Sequence, residues 1–237
     1  MKHHTLDRSR FAPGLLARVA SGWRRLADDE RRGVVAAARM TADLTAAGAP
    51  TALLATAARI VQDEVHHVEV CARILEALKG EGDAPRSTIP RLELTLGAST
   101  SLAIDETAVA RMLVSELALG KPVTASAFAS ARAVVREPLF AWAYTELLRD
   151  ETRHATFGAK AAAWVIRSWS TRQRQALWTE CLTVGAPVRS PRLRDPEAEA
   201  LGLLPGDVDG ALPRWILPHL APLGIQPRSA NVNMLIH

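Results

Sequence analysis

Cysteine is nearly absent from this chain. Of 237 residues only Cys71 and Cys181 carry a thiol. Two thiols build neither a disulfide framework nor a cysteine-based zinc or iron–sulfur site. Tyrosine occurs once, at Tyr144, and aromatics make up 5% of the chain. Ala, Leu, Val and Arg dominate instead, a composition that favours helices over strands. No apolar run approaches the ~20 residues of a membrane span. Residues 1–26 lack the continuous apolar core of a secretory signal, so the expected location is the cytoplasm. Phe11 to Leu26 fits the start of a first core helix better than a basic membrane-surface helix. The net charge of +4 is mild, and the arginines are scattered without interleaved aromatics. A nucleic-acid surface is not expected from such a pattern.

The chain reads as soluble and globular, 48% hydrophobic and 23% charged. Its organisation is helical throughout. Residues 1–12 read as a loose tail, and Pro13 can open a helix. Trp23, Leu26, Glu30, Val34, Ala37, Met40 and Leu44 keep a 3–4 spacing up to Ala47. Gly48 and Pro50 stop this helix, and Thr51 is the expected N-cap of the next. The second helix carries Leu53, Ala57, Ile60, Glu64, His67, Cys71, Ile74 and Leu78 on one face and ends at Gly80 and Gly82. Residues 80–104 have no clear period and suit a long crossover along a bundle. A third helix is expected from Asp105 to Val135, with Pro122 inside it forcing a kink or a bulge. Glu137-Pro138 marks a turn, and a fourth helix carries Phe140, Tyr144, Leu147, Glu151, His154, Gly158, Ala161 and Val165 on its face. Ser170-Thr171-Arg172-Gln173 is a capping box for a fifth helix reaching about Val184. Eight of the fourteen prolines fall in residues 185–237. That region is expected to hold short helical pieces near Pro196–Leu204 and Leu212–Leu223 and to wrap the bundle. One domain over 1–237 follows, with a bundle core over 14–169 and a C-terminal helix and tail over 170–237. Residues 14–79 and 105–169 read as two related helical hairpins.

The chemistry concentrates in one repeated motif. Asp150-Glu151-Thr152-Arg153-His154 is echoed 87 residues earlier by Asp63-Glu64-Val65-His66-His67. In each copy Glu at i and His at i+3 share a helix face. With fourteen Glu and seven His, about 0.4 such pairs are expected by chance. Two copies, both preceded by Asp and both on the apolar stripe of a long helix, are far harder to obtain. Glu30 and Glu116 are the acidic residues on the inner stripes of the first and third helices. In an antiparallel hairpin turning near residue 49, Glu64 lies 15 residues after the turn and Glu30 lies 19 before it. At ~1.5 Å per residue the mismatch is about 6 Å, within reach of carboxylate arms. Around a turn near residue 137 the mismatch of Glu151 and Glu116 is near two turns. A bulge at Gly120-Lys121-Pro122 would reduce it. Buried carboxylates and imidazoles together suit a transition metal far better than an apolar core.

Glu30, Glu64-x-x-His67, Glu116 and Glu151-x-x-His154 resemble the ligand set of the ferritin-like non-haem di-iron carboxylate superfamily, over roughly residues 14–169. The resemblance implies an all-α, ferritin-like four-helix bundle with a long crossover between helices two and three. It implies two metal ions, with Glu30 and Glu116 as terminal ligands and Glu64 and Glu151 bridging. His67 and His154 would serve one metal each. The four carboxylates would balance two divalent cations. Asp63 and Asp150 are placed to accept the outer N–H of the opposite hairpin's histidine, and Arg153 to pair with one of them. His66 stands where the second copy has Arg153, a departure from the doubled Asp-Glu-x-Arg-His form of several oxygenases in the superfamily. Tyr144 reads as core packing or as a redox or hydrogen-bonding group near the site. Cys71 reads as a small buried hydrophobe or as part of a pocket lining.

Three functions are open. The first is an O2-dependent oxidase or oxygenase, with O2 as co-substrate and a small organic molecule as substrate. Its metal would be iron, with manganese or a mixed Fe/Mn pair also compatible. Electrons would come from an external donor, because no rubredoxin-like cysteine pairs are present, and a homodimer is compatible with this reading. The second is a ferroxidase or iron-handling protein. The third is a helical protein with a structural metal site and no catalysis.

Overall fold

A computed structural model of the chain describes residues 5–79, 105–185, 195–204 and 223. Among the described residues every regular element is a helix and no strand occurs. After a short 3₁₀ turn, Arg8–Arg10, capped by the Asp7 side chain, helix α1 spans Pro13–Ala46 and α2 spans Thr51–Leu78. Helix α3 has three consecutive pieces: α-helical Glu106–Met112, π-helical Leu113–Gly120 and α-helical Lys121–Val134. Helix α4 spans Pro138–Val165, α5 spans Thr171–Gly185 and α6 spans Pro196–Leu201. The crossover expected over 80–104 and the helical piece expected near 212–223 lie outside the described residues, apart from Leu223.

The helix ends follow from local chemistry. Gly48 adopts φ +71°, and Ala49 N–H reaches back to Leu44 O at 3.0 Å, the left-handed C-terminal stop that only glycine enters without strain. Thr51 is not the N-cap of α2. Pro50 holds that position in extended conformation, with no side-chain cap, and Thr51 is the first helical residue. Asp105 caps α3 through hydrogen bonds from the N–H groups of Thr107 and Ala108. At α5, Ser170 N–H donates to Gln173 Oε1 at 2.9 Å and Gln173 N–H donates to Ser170 Oγ at 3.4 Å, a reciprocal capping box.

Two apolar clusters organise the packing, and each long helix runs between them. One cluster holds Met40, Leu44, Ile60, Val109, Leu113, Phe157 and Trp178. The other holds Val19, Trp23, Ile74, Phe128, Phe140 and Tyr144. Helix α1 runs from the second cluster to the first, α2 returns, α3 runs the same way as α2, and α4 runs with α1. At the waist between the clusters each of α1, α2 and α4 carries buried acidic residues: Glu30; Asp63 and Glu64; Asp150 and Glu151.

The π-helical stretch resolves the irregularity expected at Pro122. Proline has no N–H for the helical bond to residue 118 and its ring crowds that carbonyl. The wider π turns precede it, and Pro122 opens the following α-helical piece. Backbone angles at Met112, Leu113, Gly120 and Lys121 stay right-handed helical, so α3 bulges without breaking. Gly158 of α4 seats this bulge: a Cβ there would stand 2.3 Å from Leu117 Cβ and 2.9 Å from the Ala118 nitrogen.

The short α6 closes the second cluster. Gly202, just beyond it, sits at φ +126° against the Phe140 ring. Its carbonyl accepts from Trp23 Nε1 at 2.8 Å and from the Tyr144 hydroxyl at 2.9 Å. Arg136 N–H donates to Ala200 O at 2.9 Å. This short stretch therefore packs onto α1 and α4, while most of the region expected to wrap the helices lies outside the described residues.

Candidate metal centre

The waist brings together Glu30 from α1, Glu64 and His67 from α2, and Glu151 and His154 from α4. They fall into two overlapping sets, Glu30–His67–Glu151 and Glu64–Glu151–His154, in each of which one ligand atom per residue lies within 4.8 Å of the others. Glu151 is common to both. All five side chains are buried, Glu151 and both histidines completely. The cluster is compatible with a two-metal site.

Both histidines are oriented the same way. His154 Nε2 stands 3.2 Å from Asp63 Oδ2, and His67 Nε2 stands 3.5 Å from Asp150 Oδ2. Each aspartate thus faces the histidine of the other motif copy. The opposite nitrogen, Nδ1, points at the glutamates: His67 Nδ1 is 3.2 Å from Glu30 Oε2, and His154 Nδ1 is 3.2 Å from Glu64 Oε1. An outer partner of this kind fixes the ring and leaves the inner nitrogen for a metal. The two rings lie 5.9 Å apart, centroid to centroid.

Arg153 ties the aspartates together, donating to Asp63 Oδ2 at 2.6 Å and to Asp150 Oδ1 at 2.8 Å. Arg59 adds a bond to Asp63 at 3.1 Å, and Arg149 one to Asp150 at 3.3 Å. Burial alone would raise both aspartate pKa values, but these donors and the histidines outweigh it and hold both below the usual carboxylate range. The aspartates therefore stay anionic acceptors.

Lys121 is the participant that helix counting does not find. Its Nζ lies 2.8 Å from Glu64 Oε1 and 3.1 Å from Glu151 Oε1. Burial would lower its pKa, but the charges of Glu151, Glu64 and Glu30 outweigh that and keep it a cation. Burial would likewise raise Glu64, yet His154 and Lys121 beside it push it below the carboxylate range. Glu151 goes the other way: burial and the neighbouring Glu30 and Glu64 charges raise it against Lys121 and His154. Burial opposes protonation of His67, but the carboxylates of Asp150, Glu30 and Glu151 raise its pKa to about 10. The glutamates thus favour positive charge at His67 and at Lys121.

Three buried polar atoms on the inner side of the cluster have no hydrogen-bond partner: Glu64 Oε2, Glu151 Oε2 and His154 Nδ1. Such atoms cost free energy unless something else binds them. Gly33, one turn beyond Glu30, leaves room for one of them, since a Cβ there would lie 2.3 Å from Glu64 Oε2. Oxygen and imidazole donors, unpaired and converging, fit a divalent transition metal.

The remaining expected residues fall elsewhere. Glu116 is exposed and outside both ligand sets, at the rim of a cavity that also touches Glu30, Glu64 and Lys121. Tyr144 spends its hydroxyl on Gly202 and packs against Trp23 and Phe128, within the second apolar cluster. Cys71 lies in the same cluster, its thiol pushed up by burial and by Glu30 and Asp29. His66 is half-exposed, 3.5 Å from Glu146.

The cavity has a volume of about 390 Å³ and lies mainly between α1 and α3. Its inner wall is largely apolar, with Leu26, Ala37, Met40, Ile60, Leu117 and Phe128. Among the described residues no helix is long and apolar enough to cross a membrane. No protein-family model, curated protein or solved structure matches the chain.

Proposed function

We propose that this chain is a ferritin-like metalloenzyme of the cytoplasm that activates O2 to oxidise a small organic molecule. The four long helices would form the four-helix bundle of that superfamily, joined by a crossover over 80–104. The observation that carries the reading is the apolar cavity ending on Glu30 and Glu64. A cavity of about 390 Å³ lies within the range of small-molecule sites, whose walls are mostly apolar with a few placed polar groups. An iron ion in transit has no use for a wall of Leu26, Met40, Ile60 and Phe128.

The two overlapping sets of Glu30, Glu64, His67, Glu151 and His154 offer the places where metal would bind, iron or alternatively manganese. The bound metal would supply the electrons and the Lewis acidity for O2 chemistry. The protein's own share is definable. Asp63, Asp150 and Arg153 orient the two imidazoles. The apolar clusters exclude water on both sides. The cavity seats the organic substrate against the carboxylates. An external donor supplies reducing equivalents, and a homodimer is compatible with this arrangement.

Asp29 and Glu116 at the cavity rim support a second reading, a ferroxidase, because exposed acidic residues favour approach of cations. One experiment separates the two. The protein is loaded with Fe(II) without oxygen and then exposed to O2 with excess Fe(II) and no organic substrate. The oxygenase reading expects iron oxidation to stop at the protein-bound ions. Continued turnover of Fe(II) beyond two per chain supports the ferroxidase. Absence of bound iron after loading contradicts both.

A further inference from the structure

On the reading of the cluster as a metal centre, Lys121 has a part in it. Lys121 reaches the waist from the first α-helical turn after the π stretch. Its side chain is 16% exposed, and the two glutamates it bridges are 2% and 0% exposed. Those two glutamates belong to the set Glu64–Glu151–His154. The ammonium bonds one oxygen of each, Oε1 in both cases. The other set, Glu30–His67–Glu151, shares only Glu151 with the lysine's partners.

Charge points the same way. Asp63 and Asp150 are paired by Arg59, Arg149 and Arg153; the three glutamates of the two sets and the ammonium then sum to −2, which a single divalent ion cancels. Two divalent ions beside the same lysine would leave a net +2 in a buried site, and uncompensated buried charge is strongly disfavoured. A fourth inward carboxylate would bring the sum to −3, midway between one ion and two, but Glu116 is exposed at the cavity rim.

We propose that the centre takes one divalent ion, on Glu30, His67 and Glu151, and that the Lys121 ammonium occupies the place of a second. Lys121 is then a built-in cation that keeps Glu64 and Glu151 in position without a second metal. It is a positioning residue with respect to the chemistry.

The test is stoichiometry and spin coupling in the full-length protein loaded with Mn(II), freed of unbound ion, and read by elemental analysis and low-temperature EPR. The wild type is expected to hold one Mn(II) per chain, with the six-line signal of an isolated ion. Lys121→Met keeps much of the apolar stem and removes the charge. It is expected to hold two Mn(II) per chain and to give the exchange-coupled signal of a pair. Lys121→Arg retains a cation and is expected to stay at one. Two coupled Mn(II) in the wild type would overturn the proposal, whether or not the methionine variant folds. A single ion in a folded Lys121→Met would overturn it as well. No Mn(II) in any of the proteins would instead remove the metal reading beneath it, so the two failures are distinguishable.

Discussion

On the α1 side of the waist, Glu30 arrives buried and within 3.2 Å of His67 Nδ1. On the α3 side, the acidic residue of the inner stripe, Glu116, stays exposed, and Lys121 comes in to bridge Glu64 and Glu151. The two motif copies on α2 and α4 are otherwise arranged alike, each histidine backed by the aspartate of the other copy. The difference traces to backbone geometry. Helix α1 is α-helical for all 34 residues, so a 3–4 spacing carries Glu30 to the inner face. Helix α3 has eight π-helical residues ahead of Pro122, and the wider turns change which side chains face inward. One unpaired proline thus turns a pseudo-symmetric pair of hairpins into an unequal one.

The unequal halves can be separated by substitution. The largest effect is expected at Glu151, the carboxylate both sets share. Glu151→Ala should lose all bound metal while circular dichroism shows the helix content retained, and metal retained at the wild-type level would break the assignment. Next, Glu30→Gln should weaken Mn(II) binding, measured by titration, by more than the roughly 10- to 100-fold typical of an outer hydrogen-bond partner. Glu64→Gln, which removes an anchor of Lys121, should cost less. Equal losses would mean that the two halves are equivalent after all. One step outward, Asp150→Asn should lower Mn(II) affinity by roughly 10- to 100-fold through His67, and Asp63→Asn by less; the reverse order would move the ion to the His154 side. Gly158→Ala should destabilise the fold by about 1–3 kcal/mol in chemical denaturation, because its Cβ would press the π stretch at Leu117 and Ala118. A neutral result would mean that α4 does not seat the bulge. The smallest effect belongs to a residue outside both halves. Tyr144→Phe should cost about 1 kcal/mol of stability from the lost bond to Gly202 and leave metal content unchanged.

How much of this is legible in the sequence depends on whether spacing or register carries the information. The stops at Gly48 and Glu137-Pro138 and the Ser170–Gln173 capping box are local chemistry, and the structure ends or starts helices there. The convergence of Glu30, Glu64, His67, Glu151 and His154 is legible as well, because each lies on an apolar stripe with α-helical period. Lys121 is not, because a lysine counts as solvated in any hydropathy reading, and its inward turn depends on a π register that a period of 3.6 does not contain. The nearest signal is Pro122 itself, a proline inside a long helical pattern, which announces an irregularity without saying which side chain it redirects. The cavity is invisible to the sequence for a related reason. Its walls come from residues such as Leu26, Met40 and Phe128 that pattern as ordinary core.

Anomalous diffraction from crystals loaded with Mn(II) or Fe(II) shows whether the buried waist is a metal centre. An anomalous peak is expected within bonding distance of Glu30, His67 Nδ1 and Glu151, with Lys121 still bridging Glu64 and Glu151. A waist without a peak at saturating metal, with the side chains unchanged, would contradict a metal centre there.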